Sequence, residues 1–307
     1  MFILETFIIS MFRSKNIYND MCKKSSGILH KVTPEERRKI QLHLCKMYKD
    51  LEQVCDRHGL TIMMAFGSAL GAVRHKGFIP WDDDMDVFMP RADYTRLITQ
   101  HADELSDNYI IYAPNSKNGA IARFAKLVDK NTLFVEVGSE KIDRHPGVFI
   151  DIFPLDSITT NQLSNKVKKM VSMALIFTAA SVRQYELNSD VYKSIMSGCR
   201  AAKFNYWFRQ IHGFLFSFIN EQQWYKLVDK FCENPNDSNY IDFVQSDYRW
   251  KPLDINMFYP PVKGQFEGME VYIPHHPIDY LKMEFGNWQW IPPEEERFEH
   301  YVIDLKI

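Results

Sequence analysis

The sequence predicts an α+β fold, with a mixed sheet in its first half and a helical insertion in its second. Three observations carry this. Short apolar runs punctuated by Gly and Pro recur up to residue 157, helical texture with long apolar stretches takes over from about residue 161, and short strands return in the tail. A chain of 307 residues with 46% hydrophobic and 25% charged residues is globular and long enough for a large core. With 37 Lys+Arg against 39 Asp+Glu, it is not built to coat nucleic acid.

In chain order, Thr33-Pro-Glu-Glu opens the first clear helix with a capping hydroxyl, a first-turn proline and acids at the positive end. Ile40, Leu44, Met47, Leu51 and Val54 form its apolar face, and Gly59 ends it. Residues 60–66 read as a buried strand, followed by a short helix from Ser68, a Pro80-Trp81 turn and a strand through Met89. A helix from Pro90 turns Tyr94, Leu97 and Ile98 inward. Residues 110–113, 122–128, 133–137 and 148–153 read as further strands. The tail adds a strand at 269–273 and a helix over 276–285 ended by Gly286. This divides the chain into an N-terminal extension (1–32), a catalytic core (33–160), a helical insertion (161–239) and a C-terminal part completing the core (240–307).

Five scattered cysteines without a Cys-x-x-Cys pair suit reduced thiols in a cytoplasmic protein. Residues 1–12 are apolar but carry Glu5 and no leading basic residue, a poor signal peptide and too short a membrane span. Residues 170–182 are also too short to cross a bilayer. Together with the aromatic run at 204–219 they allow a peripheral contact at the inner face of the membrane, against the weightier alternative of a buried helical subdomain.

The informative stretch is GSALGAVRHKGFIPWDDDMDVFM, residues 67–89. Four aspartates in five positions lead straight into an apolar strand. Side chains alternate along a strand, so Asp84 and Asp86 share a face, about 7 Å apart by the strand rise. Two such carboxylates are well placed to share a hard divalent cation, Mg2+ or Mn2+. Asp82 has the same parity but sits beside the turn, which makes it a weaker candidate, and Asp83 points the other way. Upstream, Gly67-Ser68 feeding a helix offers free backbone N–H groups to a phosphate, and Arg74, His75 and Lys76 add positive charge. Asp151, a lone acid in an apolar strand, is the expected third carboxylate, with Asp156 a backup better read as a cap. Arg74 or Lys126 would offset diphosphate charge. Trp288, Trp290 and Tyr280 invite a cage for a quaternary ammonium, although packing over the C-terminal helix is the stronger reading.

The run from Gly67 to Asp86 resembles the signature of the LicD family, which includes the fukutin-type proteins. The likeness continues in residues 126–132, 147–156 and 266–300. The resemblance implies a nucleotidyltransferase (polymerase β-like) mixed sheet with flanking helices. It also implies transfer of a phospho-alcohol, such as phosphocholine, from a CDP-activated donor to a hydroxyl of a cell-surface glycan or lipid-linked oligosaccharide, with CMP leaving. On this resemblance Asp84, Asp86 and Asp151 are the metal-binding carboxylates. The main rival is a metal-dependent nucleotide-sugar glycosyltransferase using Asp-x-Asp; a non-catalytic scaffold and a polymerase-like nucleotide adder stand behind it.

Overall fold

The computed structural model of the chain describes residues 22, 27–233, 239–247, 250–297 and 300–307. The possible signal segment, most of the N-terminal extension and the expected boundary near residue 239 lie partly or wholly outside them. A two-residue strand β1 (His30–Lys31) leads into helix α1 (Pro34–His58). The cap at Thr33 is reciprocal: its hydroxyl accepts from the Glu36 N–H while the Glu36 carboxylate accepts from the Thr33 N–H. The expected face of α1 is buried, and Gly59 ends it in the left-handed conformation at φ 59°.

Strand β2 (Met63–Met64) is shorter than expected; Leu60 and Ile62 are buried but lie off the ladder. Helix α2 (Phe66–Arg74) starts two residues ahead of Ser68. The early start has a physical cause. Phe66 adopts φ 39°, turning the chain from strand to helix in one step, and the Tyr280 hydroxyl accepts its N–H at 3.0 Å. The Phe66 ring holds that geometry by packing edge-on against Phe88, Phe153 and Phe243.

Next come β3 (Asp86–Pro90), α3 (Arg91–Arg96) with a wider turn beyond it, β4 (Tyr109–Tyr112), β5 (Ala125–Asp129), β6 (Leu133–Glu136) and β7 (Phe149–Ser157). Strand β5 begins three residues later than the sequence suggested, Arg123 reaching instead to the Gln245 carbonyl. Four helices follow: α4 (Gln162–Leu187), α5 (Asp190–Met196), α6 (Arg200–Phe216) and α7 (Glu221–Cys232). The chain returns through β8 (Tyr240–Asp242), the single turn α8 (Val244–Asp247), β9 (Leu253–Asp254), the hairpin β10 (Val262–Phe266) and β11 (Met269–Ile273), helix α9 (Pro277–Phe285) and β12 (Tyr301–Lys306).

Among the described residues the main sheet has seven strands, in the order β2-β3-β7-β5-β4 with β8 on β7 and β9 on β8. Only β3 and β7 run parallel, so the sheet is mixed as expected. A smaller sheet, β1-β12-β6, ties the last strand to the first. Phe258, Phe266, Val271, Tyr280 and Val302 share one core with Ile40, Val87 and Ile150. Residues from both ends of the chain therefore support the same sheet.

The helical segment has a second core of Ile176, Ala179, Val182, Trp224, Tyr225 and Val228. Helices α4 and α6 approach closely at Gly213, where a Cβ would come within 2.2 Å of the Ser181 carbonyl oxygen. An ionic lock joins this segment to the sheet. Arg91 binds Asp156 at 2.6 and 3.0 Å and Asp229 at 2.8 Å, all three buried or nearly so. Burial works against the charge on Arg91, and the two carboxylates outweigh it. Asp156 is pushed up to about 6 by burial although Arg91 opposes the shift. The cap expected at Asp156 is thus replaced by a buried ion pair. All five cysteines are free, and burial holds Cys45 up at about 11.

Candidate active site

The parallel pairing of β3 and β7 sets Asp86 directly beside Asp151 as Cα partners, and strand parity keeps their side chains on one face. On the far side of β7, Lys126 of β5 is the Cα partner of Asp151. Its Nζ lies 3.0 Å from Asp151 Oδ1 and 3.3 Å from the centre of the Phe149 ring, with Glu136 Oε2 at 4.0 Å. The Lys126–Asp151 contact is ionic only: Asp151 Oδ1 is buried without a hydrogen-bond partner.

Helix α2 closes the site from above. Ser68 Oγ accepts the Asp86 N–H at 2.9 Å, so the serine fixes the start of β3. It does not cap the helix, whose N-cap residue is Ala65. Gly67 lies close to the acids, since a Cβ there would come 3.0 Å from Asp82 Oδ2. The Asp82 carboxyl therefore rests against the first turn of α2 and belongs to the acid cluster, which its place beside a turn had concealed. Gln41 Nε2 donates to the Asp82 carbonyl at 2.8 Å and holds that turn.

Crowding marks this cluster. Burial, then Asp84, raises Asp82 well above the usual carboxylate range, and burial, then Asp84 and Asp151, does the same to Asp86. Burial raises Asp84, opposed by a hydrogen bond that Asp82 donates. Asp151 is pushed up to about 6 by burial, with Lys126 opposing. Four carboxyl groups facing one ammonium, one of their oxygens orphaned, form a hard all-oxygen donor set. Such a set fits a divalent cation better than it fits protons alone.

Asp83 precedes β3 and pairs with a different partner. Its Oδ1 meets His300 Nδ1 at 2.7 Å. Burial opposes charge on His300, but the hydrogen bond and charge of Asp83, with the charges of Glu136 and Asp84, together outweigh it and leave the imidazole pKa raised. Nothing in local spacing links positions 83 and 300; only the return of β12 to β6 brings them together.

Arg74 and His75 bind elsewhere. Arg74 Nη1 donates to the carbonyls of Trp288 and Trp290 at 2.8 and 2.9 Å, and its Nε donates to His75 Nε2 at 2.9 Å. These contacts anchor the tail loop to the end of α2. Tyr280 is fully buried and Trp290 is exposed, so with Trp288 they do not frame one cage; packing is the role Tyr280 fills. Beside Lys126 opens a cavity of about 200 Å3 lined by Glu136, Arg144, Phe149 and Arg183. Glu136, Ser139 and Arg183 also line a neighbouring cavity of about 310 Å3 that reaches Tyr192 and Arg209. Lys126 connects the two features, since it lines the nearer cavity and contacts Asp151.

Similarity to known proteins follows the same residues. The sequence model of the LicD/FKTN/FKRP nucleotidyltransferase domain matches residues 59–177, the span that contains Gly67, Asp84, Asp86, Lys126 and Asp151. The chain is 26% identical over 292 residues to the lipopolysaccharide cholinephosphotransferase LicD of Haemophilus influenzae, covering 91% of this chain and all of that protein. Shorter matches, 36% identical over 56 and 52 residues, reach uncharacterized proteins of Rickettsia prowazekii and Rickettsia typhi, about a fifth of each. The matched LicD/FKTN/FKRP domain thus spans the acid cluster, and similarity to the Haemophilus protein runs along most of the chain.

Proposed function

We propose that this protein transfers a phospho-alcohol, with phosphocholine the first choice, from a CDP-activated donor to a hydroxyl of a lipopolysaccharide-type glycan. The single observation behind the chemistry is the side-by-side registration of Asp86 and Asp151, with Asp84, just ahead of β3, close enough for its charge to raise the pKa of both, and Lys126 against Asp151. The cholinephosphotransferase activity for which the Haemophilus relative is named supports the substrate class. We read β2, β3, β7 and α2 as a nucleotidyltransferase-type core, with residues 33–160 and 240–307 as the catalytic part and 161–239 as its insertion.

Asp84, Asp86 and Asp151 would hold Mg2+ or Mn2+, which when bound supplies charge neutralisation for a diphosphate. The chain's own groups account for the rest. The acceptor hydroxyl oxygen forms a bond to the phosphorus nearest the alcohol, and the bond from that phosphorus to the CMP oxygen breaks. Asp151, in register with Asp86, takes the hydroxyl proton. Lys126 offsets charge on the donor phosphates from the same side, and the first turn of α2, with Gly67 beside Asp82 and Ser68 on the Asp86 N–H, borders the acids. The cavity beside Lys126 and its neighbour have room for the donor or the glycan.

The test is incubation of purified protein with CDP-choline, CDP-ribitol or CDP-glycerol, a divalent cation and lipopolysaccharide, following CMP. CMP release that depends on acceptor supports the reading. UDP release from a UDP-sugar with no CMP release from any CDP-alcohol refutes it in favour of a glycosyltransferase.

A further inference from the structure

Helix α6 buries little of its apolar surface. Phe204 is 74% exposed, Trp207 48%, Ile211 60% and Phe218, just past its end, 74%; Phe208, Phe214 and Leu215 are exposed with them. Steps of three and four place these residues on one face of the helix. The opposite face, with Ala202, Tyr206 and Gly213, carries the packing. Leu163, Val167 and Met170 are likewise exposed on the first turns of α4. Seven large apolar side chains exposed on and just past one helix contrast with the singly scattered ones a monomer's surface ordinarily shows.

The charges nearby are one-sided. Helix α6 contains Arg200, Lys203 and Arg209 and no acidic residue, and residues 162–182 of α4 contain Lys166, Lys168 and Lys169 and none. Arg200, Lys203 and Lys166 are exposed. Phe, Trp, Leu and Ile on one side with cations and no acids among them is the composition of a helix that lies flat in a lipid headgroup layer. A protein partner recognised by this face would gain nothing from the missing acids, whereas an anionic bilayer does. No helix among the described residues is long and apolar enough to cross a membrane, so contact through α6 would be in the plane of the interface.

We propose that the exposed face of α6, with the start of α4, docks this protein onto an anionic lipid surface. The inference stands on these two helices and does not depend on the reaction proposed above.

Full-length protein is mixed with vesicles of phosphatidylcholine alone or with added phosphatidylglycerol and floated on a sucrose gradient. It floats with the anionic vesicles, and less so as salt is raised. The combined variant Phe204→Ser, Trp207→Ser, Ile211→Ser and Phe214→Ser, which touches exposed positions only, keeps a cooperative melt and binds about tenfold less. Brominated phospholipid quenches the wild-type fluorescence, and Trp207→Phe loses most of that quenching. Wild-type protein left wholly in the soluble fraction overturns the inference, as does undiminished vesicle binding by the combined variant. A wild-type dimer that the variant converts to monomer, without vesicle binding in either, also overturns it and makes the face a self-association surface.

Discussion

Asp86 shows how much one register can decide. A slip of a single residue between β3 and β7 would turn Asp86 or Asp151 into the core, where neither could stay charged. Replacing Asp86 with Asn should lower CMP release at least about a hundredfold, as loss of a ligand does. It should also raise the urea midpoint of the cation-free protein, because a crowded buried carboxylate is removed. The pairing of His300 with Asp83 makes a separate prediction. The folded pKa of His300 is raised, so its contribution to stability is complete below the unfolded value of about 6.5 and is lost as pH rises through the folded one. His300→Gln should therefore lower the urea midpoint at pH 6 and change it much less at pH 9; equal losses at both would separate the stability of this pair from protonation. At this scale the neighbouring faces of Asp86 and Asp151 follow from strand parity, whereas Asp84 precedes β3. Asp82 was not legible, since a residue beside a turn has no parity to read. The contacts of Arg74 depend on two carbonyls more than two hundred positions away in sequence, beyond any local pattern.

Elements announce themselves when local chemistry sets their ends. The capping box and terminal glycine of α1 are both visible in sequence, and both act as expected. Where a tertiary contact sets the end, local signals mislead: α2 begins at Phe66 because an aromatic nest and the Tyr280 hydroxyl hold a left-handed residue, a conformation no propensity assigns to Phe. The docking of α7 onto the sheet belongs to the same class. Arg91 is the bridge between Asp156 on β7 and Asp229 on α7, with Asn115 and Gln245 also donating to Asp229. Removing the guanidinium leaves two carboxylates in a dry interface. Arg91→Ala should cost about 3–5 kcal/mol in urea denaturation, with near-ultraviolet dichroism of the Trp224 region lost first. A loss under about 1 kcal/mol would mean that one of the two acids is already neutral and that the lock is a hydrogen-bond network.

At the scale of the whole molecule, the sequence conveyed the classes of structure but not their assembly. Mixed strands, then helices, then a returning tail could be read from texture. That β12 would close on β6 and that Tyr280 would sit beneath α2 follows only from packing of distant segments. The completed assembly places four acids, each pushed toward protonation, under one helix turn with one lysine in contact. Such a cluster makes stability of the entire fold responsive to what neutralises it. A ligand that binds only the folded state at a hundred times its dissociation constant adds about 2.7 kcal/mol. For a chain of this size that amounts to roughly 5 °C in Tm. Scanning fluorimetry should show a smaller rise with Mg2+ alone, the full rise with Mg2+ plus CDP-choline, and reversal of both by EDTA. Asp86→Asn should lose the Mg2+ response and most of the added response to the nucleotide, because the two ligands share one patch of charge. A CDP-choline shift of unchanged size in EDTA would place the donor away from these acids, and the mechanism built on them would fall with it.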